Sequence, residues 1–150
     1  MEERYRPNVA GILQRPEDGR ILVAERCDIA GAWQFPQGGV DKGEGIEEAL
    51  YRELEEEIGL KPSDYQVVDR RDGYRYKFPK DKPTRGKYCG QEQTYFLCEF
   101  TGEESSIHLD GHKQEFADYK WILPDDFDHK AVPKFKRAVY EAVLHDFFGR

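Results

Sequence analysis

Residues 46 to 58 carry two patterns that one kind of element satisfies together. Ile46, Leu50, Leu54 and Ile58 recur at every fourth position, the spacing of a helix that lays an apolar stripe on a core. Glu53, Glu56 and Glu57 stand at i, i+3 and i+4, so at about 100° per residue they share an arc of roughly 100° on the same helix. The helix is expected to begin near Gly45 and to stop at Gly59, which suits the left-handed position past a helix end, with Pro62 soon after.

Three carboxylates on one face repel, each pair by roughly 0.2–0.5 kcal/mol when exposed. Between Glu44 and Ile58, Arg52 is the only basic residue against seven glutamates. Glu57 also projects between Ile46 and Leu50, toward the core, where an unpaired charge is costly. A bound cation would compensate. Oxygen ligands with no His or Cys nearby suit a hard divalent ion and not zinc. Taken alone, the run also fits a solvated acidic helix.

The flanking residues narrow this choice. Gly38 is followed after five residues by Glu44, and after seven more by Arg52-Glu53-Leu54-Glu55-Glu56-Glu57-Ile58-Gly59-Leu60. That spacing resembles the signature box of the Nudix hydrolases at every defining position. The resemblance implies an α/β fold, an α/β/α sandwich with a mixed β-sheet that carries the box as a loop-helix-loop. It also implies a hydrolase that uses magnesium or manganese to cut a phosphoric anhydride of a nucleoside diphosphate derivative. Glu53, Glu56 and Glu57 would hold the metal, with Gly38 and Glu115 adding to the set, and Glu44 would fix Arg52. Spacing leaves open whether Glu56 or Glu57 takes the proton.

Other segments resemble a narrower subgroup, the RNA pyrophosphohydrolases and diadenosine tetraphosphate hydrolases. They are Tyr5-Arg6-Pro7-Asn8-Val9, Trp33-Gln34-Phe35-Pro36-Gln37-Gly38-Gly39, Arg75-Tyr76-Lys77-Phe78-Pro79-Lys80, Gly90-Gln91-Glu92-Gln93, Glu115-Phe116 and Phe135-Lys136-Arg137. By this resemblance Arg6, Arg26, Gln37, Lys77 and Lys136 meet the substrate, and Tyr76 or Phe135 stacks its base. The Arg6, Arg26, Phe135 and Lys136 matches favour the 5′ end of RNA. Asp28-Ile29-Ala30-Gly31-Ala32-Trp33 looks more like the dinucleoside polyphosphate enzymes. The rival from another class is a non-catalytic, metal-stabilised RNA- or nucleotide-binding module, which would turn over no triphosphate or dinucleotide.

Size and charge set outer limits. A chain of 150 residues is one domain's worth, spanning residues 1 to 150, with about 68–70% of its unfolded surface covered on folding. No stretch approaches the ~20 apolar residues of a membrane span, and Met1-Glu2-Glu3-Arg4-Tyr5 lacks the apolar core of a signal peptide. Cys27, Cys89 and Cys98 are odd in number and far apart, which fits a reducing cytoplasm; Cys27 and Cys98 are expected to be buried. His108 and His112 have zinc-like spacing, but a polar loop and no third ligand argue against zinc.

The net charge of −7 is unevenly spread: Arg70 to Tyr88 holds eight basic residues against Asp72 and Asp81, a local +6, which leaves −13 on the rest. Tyr74, Tyr76, Phe78 and Tyr88 are interleaved with those cations, a pattern that suits stacked bases and phosphates as well as an ordinary basic hairpin. Strands are expected at 7–13, 21–24, 33–35, 67–76, 94–100 and 120–122, with a loop from Pro79 to Gly90. A second helix is expected after Pro133, with Phe135, Ala138, Val139, Ala142, Val143 and Phe147 on its core side.

Overall fold

A computed structural model describes residues 3–79, 88–111 and 114–149. Among these residues seven strands form one sheet: β1 (Tyr5–Gln14), β2 (Ile21–Arg26), β3 (Trp33–Gln34), β4 (Gln37–Gly39), β5 (Tyr65–Lys77), β6 (Gly90–Phe100) and β7 (Phe116–Ile122). Their order is β3-β2-β1-β6-β5, with β4 added to β1 and β7 to β2. The β1–β6 pair is parallel and the others are antiparallel, so the sheet is mixed, as the α/β expectation requires. The central strands are apolar on both faces because each face is covered by a helix.

Alternation sorts the side chains. Val9 and Leu13, Leu22 and Ala24, and Phe96 and Cys98 pack on one side with Leu50, Leu54 and Ile58 of helix α1 (Ile46–Ile58). Ala10 and Ile12, Ile21 and Val23, and Tyr95 pack on the other with Val139, Tyr140, Val143 and Leu144 of helix α2 (Arg137–Phe148). Helix α1 comes close to the sheet over Gly11, where an added Cβ would lie 3.2 Å from Leu50 and Leu54.

The ends of α1 fall where the sequence places them. Gly45 precedes its first turn, and Gly59 takes the left-handed conformation at φ 76° while its N–H bonds back to the carbonyls of Leu54 and Glu55. Helix α2 begins at Arg137, after a single 3-10 turn at Lys134–Lys136. Strand β4 is an addition: three residues with two glycines carry no alternation to read. Strand β7 starts four residues earlier than expected, at Phe116, and β6 starts at Gly90. Residues 80–87 of the expected loop, with Lys80, Lys82, Arg85 and Lys87, lie outside the described residues, as does His112.

One expectation is corrected. Cys27 is exposed, because it follows the irregularity in β2 pairing at Glu25 and Arg26, while Cys98 is buried. The described part of the basic strip is charge-compensated: Arg70 pairs with Asp72 at 3.1 Å, Arg71 with Asp69 at 3.5 Å, Arg75 with Glu92 at 3.4 Å and Lys77 with Glu3. Three of those carboxylates lie outside the 70–88 window or on another strand, so a local charge count could not include them.

Candidate active site

Strand β4 lies against β1 with Val9 opposite Gly38, Asn8 opposite Gly39 and Ala10 opposite Gln37. Gly38 thus faces α1, and Gly39 and Gln37 face the α2 side. A Cβ on Gly38 would collide with the carboxyl group of Glu53, and one on Gly39 with the guanidinium of Arg6. Each glycine therefore lets one charged side chain lie flat against bare backbone.

On the α1 side, Arg52 organises the acidic groups. Its Nε and Nη2 donate to the two oxygens of Glu44 at 2.8 and 2.9 Å, and Nη2 also donates to the carbonyl of Gly39 at 2.9 Å. Nη1 donates to Glu53 at 2.7 Å and to Glu56 at 3.3 Å. The hydrogen bond from Arg52 holds the Glu44 carboxyl below its usual range, and that of Glu44 holds the guanidinium firmly charged.

Glu57 is the outlier. It is 4% exposed, accepts a hydrogen bond from the backbone N–H of Gln37 at 3.0 Å, and has no ion-pair partner among the described residues. Burial pushes its carboxyl well above the ordinary range, and the charges of Glu53 and Glu115 push it further. Glu53 is raised too, chiefly by burial, with Arg52 opposing. Glu115, just before β7, therefore acts on both box carboxylates from outside the helix.

On the α2 side, Arg6, Gln91 and Tyr76 stand in one row across β1, β6 and β5. Tyr76 is 6% exposed and packs on Phe135, with ring centroids 5.5 Å apart. Lys136 is 9% exposed, its ammonium 5.7 Å from the Tyr76 ring centre and 5.9 Å from that of Phe135. Arg26 grips Asp28 through two hydrogen bonds of 2.8 and 2.6 Å. Burial raises the Tyr76 hydroxyl's pKa, and the charges of Arg26 and Arg6 oppose it. Arg6, Arg26, Lys136, Tyr76 and Phe135 are thus brought together.

Comparison with known proteins fits this geometry to a family. The family model described as NUDIX domain matches residues 4–143. The chain belongs to the Nudix family. It is similar to an RNA pyrophosphohydrolase of Erythrobacter litoralis, at 42% identity over 96% of this chain and 91% of that one. It is similar to that of Helicobacter pylori, at 41% over 98% and 96%. Among solved structures, the C. elegans Ap4A hydrolase superposes with a TM-score of 0.66 at 17% identity, covering 97% of this chain and 99% of that one. The E. coli dihydroneopterin triphosphate pyrophosphohydrolase gives 0.68 at 17%, covering 96% and 99%. At such identity the structures share the fold.

As a Nudix hydrolase the protein needs a divalent cation, and the donor set suits one. A buried carboxylate with no ion-pair partner among the described residues, repelled by Glu53 and Glu115, favours a bound positive charge. Among the described residues no three metal-binding side chains close into a finished cage, and Arg52 spans Glu53 and Glu56. Glu53, Glu56 and Glu57, all oxygen donors, are the residues that would hold the ion.

The Nudix site also departs from expectation. Lys77 alternates to the face opposite Tyr76 and pairs with Glu3, so it is apart from Arg6 and Lys136. Gln37, expected to touch substrate, turns its amide inward: Nε2 donates to the Tyr140 hydroxyl at 3.2 Å and Oε1 accepts from Gln93 at 2.7 Å. Gln93, Asn8 and Tyr140 were not expected at the site. Their signal was polar residues inside otherwise apolar strands and helix, which periodicity alone discards.

Proposed function

We propose that this protein is a magnesium-dependent RNA 5′-pyrophosphohydrolase. Water attacks a phosphorus of a 5′-triphosphate or diphosphate end, the anhydride P–O bond breaks, and pyrophosphate or phosphate leaves behind a 5′-monophosphate RNA. One juxtaposition carries this reading: Arg6 and Glu53 lie against opposite faces of the same β4 backbone. A polyphosphate held by the cations meets the acidic helix within that short span. The similarity of about 40% to named RNA pyrophosphohydrolases over nearly the whole chain supports RNA as substrate.

Bound magnesium would screen the phosphate oxygens and lower the pKa of the attacking water. Glu53 and Glu57 would hold it from the buried side and Glu56 from the exposed side. Arg52, tied to Glu44 and Gly39, keeps the box loop against the helix. Arg6, Arg26 and Lys136 bind phosphate oxygens, and Tyr76 with Phe135 forms the aromatic wall for the first base. The three free cysteines fit a reducing cytoplasm. Among the described residues no helix is long and apolar enough to cross a membrane.

A second reading, diadenosine tetraphosphate hydrolysis, draws on the Asp28–Trp33 loop sequence and uses the same cations. The deciding measurement is kcat/KM for 5′-triphosphate RNA, diadenosine tetraphosphate and free nucleotides under one magnesium concentration. RNA is expected to lead; a strong preference for a free nucleotide overturns the proposal. Near-full activity of both Glu53→Gln and Glu56→Gln would sink the assignment of the acidic helix.

A further inference from the structure

A chain of hydrogen bonds runs from the core beneath α2 to the acidic helix. Gln93, 1% exposed on β6, uses both amide hydrogens: Nε2 donates to Asn8 Oδ1 at 2.9 Å and to Gln37 Oε1 at 2.7 Å. Its own Oε1 accepts from the Tyr95 hydroxyl at 3.0 Å. Gln37 Nε2 donates to the Tyr140 hydroxyl at 3.2 Å and to the carbonyl of Phe35 at 3.4 Å. That hydroxyl also accepts from the Phe35 N–H at 3.3 Å. The Gln37 side chain is thus fixed at both ends, and its backbone N–H donates to Glu57 at 3.0 Å.

We infer that Gln93 is a positioning residue for the hydrolysis: through Gln37 it fixes β4 and aims the Gln37 N–H at the Glu57 carboxylate. Strand β4 has three residues and, among the described residues, pairs with β1 alone, so its ladder bonds hold it weakly. The polar chain supplies the missing constraint. A simpler role, filling the core with satisfied polar groups, does not explain why the chain ends on the one buried carboxylate of the acidic helix. Neither Gln93 nor Tyr140 touches substrate in this scheme. Their effect falls on the geometry of Glu57 and hence on turnover, because small misplacements at a reacting centre lower rate by as much as about 100-fold.

The inference rests on Glu57 serving the reaction, and the experiment separates the two. Gln93→Met keeps length and removes both donors. It is expected to lower kcat about 10- to 100-fold with KM for 5′-triphosphate RNA within about twofold. In the metal-free protein, hydrogen exchange at the Gln37 amide should rise at least about tenfold while the Phe96 and Cys98 amides stay protected. Gln37→Met should do the same, and the double variant should be no worse than the stronger single, since both break one chain.

An unchanged kcat in Gln93→Met, a loss confined to KM, or unaltered Gln37 exchange overturns the inference. If Gln93→Met does not fold, Tyr140→Phe decides. It removes only the hydroxyl and keeps the ring stacked on Phe35 and Phe127, each 5.3 Å away between centroids. A lower kcat with KM held supports the inference, and an unchanged kcat ends it. Glu57→Gln is the control: full activity there would remove Glu57 from the reaction, while the exchange measurement still reports on the chain from Gln93.

Discussion

Glu57 is a carboxylate placed where a carboxylate does not belong without company, and that makes it measurable. Its folded-state pKa lies above the ~4.3 of an exposed glutamate, so the folded protein keeps a proton that the unfolded chain has released. The stability this contributes is fully present below that ordinary value and is lost as pH rises through the raised one. Glu57→Gln should therefore match the parent at about pH 4 and, without metal, melt at a higher temperature than the parent at pH 8. Magnesium should raise the Tm of the parent and leave that of the variant unmoved. Thermal melts at two pH values, with and without metal, test both statements; a lower metal-free Tm at pH 8 would contradict the assigned environment.

At the level of elements, α1 was legible almost residue by residue. Its stripe, its acidic face and its terminal glycine are local facts, and local facts are what a sequence displays. Gly59 makes the point quantitatively. Its φ of 76° and a would-be Cβ 2.9 Å from the Cβ of His108 mean that Gly59→Ala adds left-handed strain of about 1–2 kcal/mol. The melting temperature should fall by about 2–8 °C, and a change below 1 °C by calorimetry would refute that account. Strand β4 was illegible because two glycines and a glutamine carry no pattern until Glu53 and Arg6 lie on them. Gln93 was hidden for a related reason: its partners Asn8 and Gln37 are 85 and 56 residues away, and no periodicity reports such a distance. Glu115 entered only by resemblance, and its influence on Glu53 and Glu57 is electrostatic across the fold.

Across the whole molecule, charge follows the division of the sheet into two faces. The acidic helix lies on one side, Arg6 and Lys136 on the other, and the described cations of β5 sit in pairs with carboxylates. Binding of RNA should therefore depend on the few cations near Tyr76 and not on the strip. Replacing Arg70, Arg71 and Arg75 together by Ala is expected to leave KM for 5′-triphosphate RNA within about twofold. Arg6→Ala should raise it at least about tenfold and flatten its rise with salt. Steady-state kinetics at low and high ionic strength distinguish these outcomes, and a large effect of the triple variant would restore the strip to the binding surface.

The paired glycines of β4 place a partition one peptide thick between the guanidinium proposed to bind phosphate and the carboxylate proposed to hold the metal. A methyl on one side of that wall displaces a carboxylate; a methyl on the other displaces a guanidinium. Gly38→Ala and Gly39→Ala are neighbouring changes of equal size that should divide into a turnover defect and an affinity defect. Two functions of the protein are in that sense separable by choosing which side of a single ribbon to thicken.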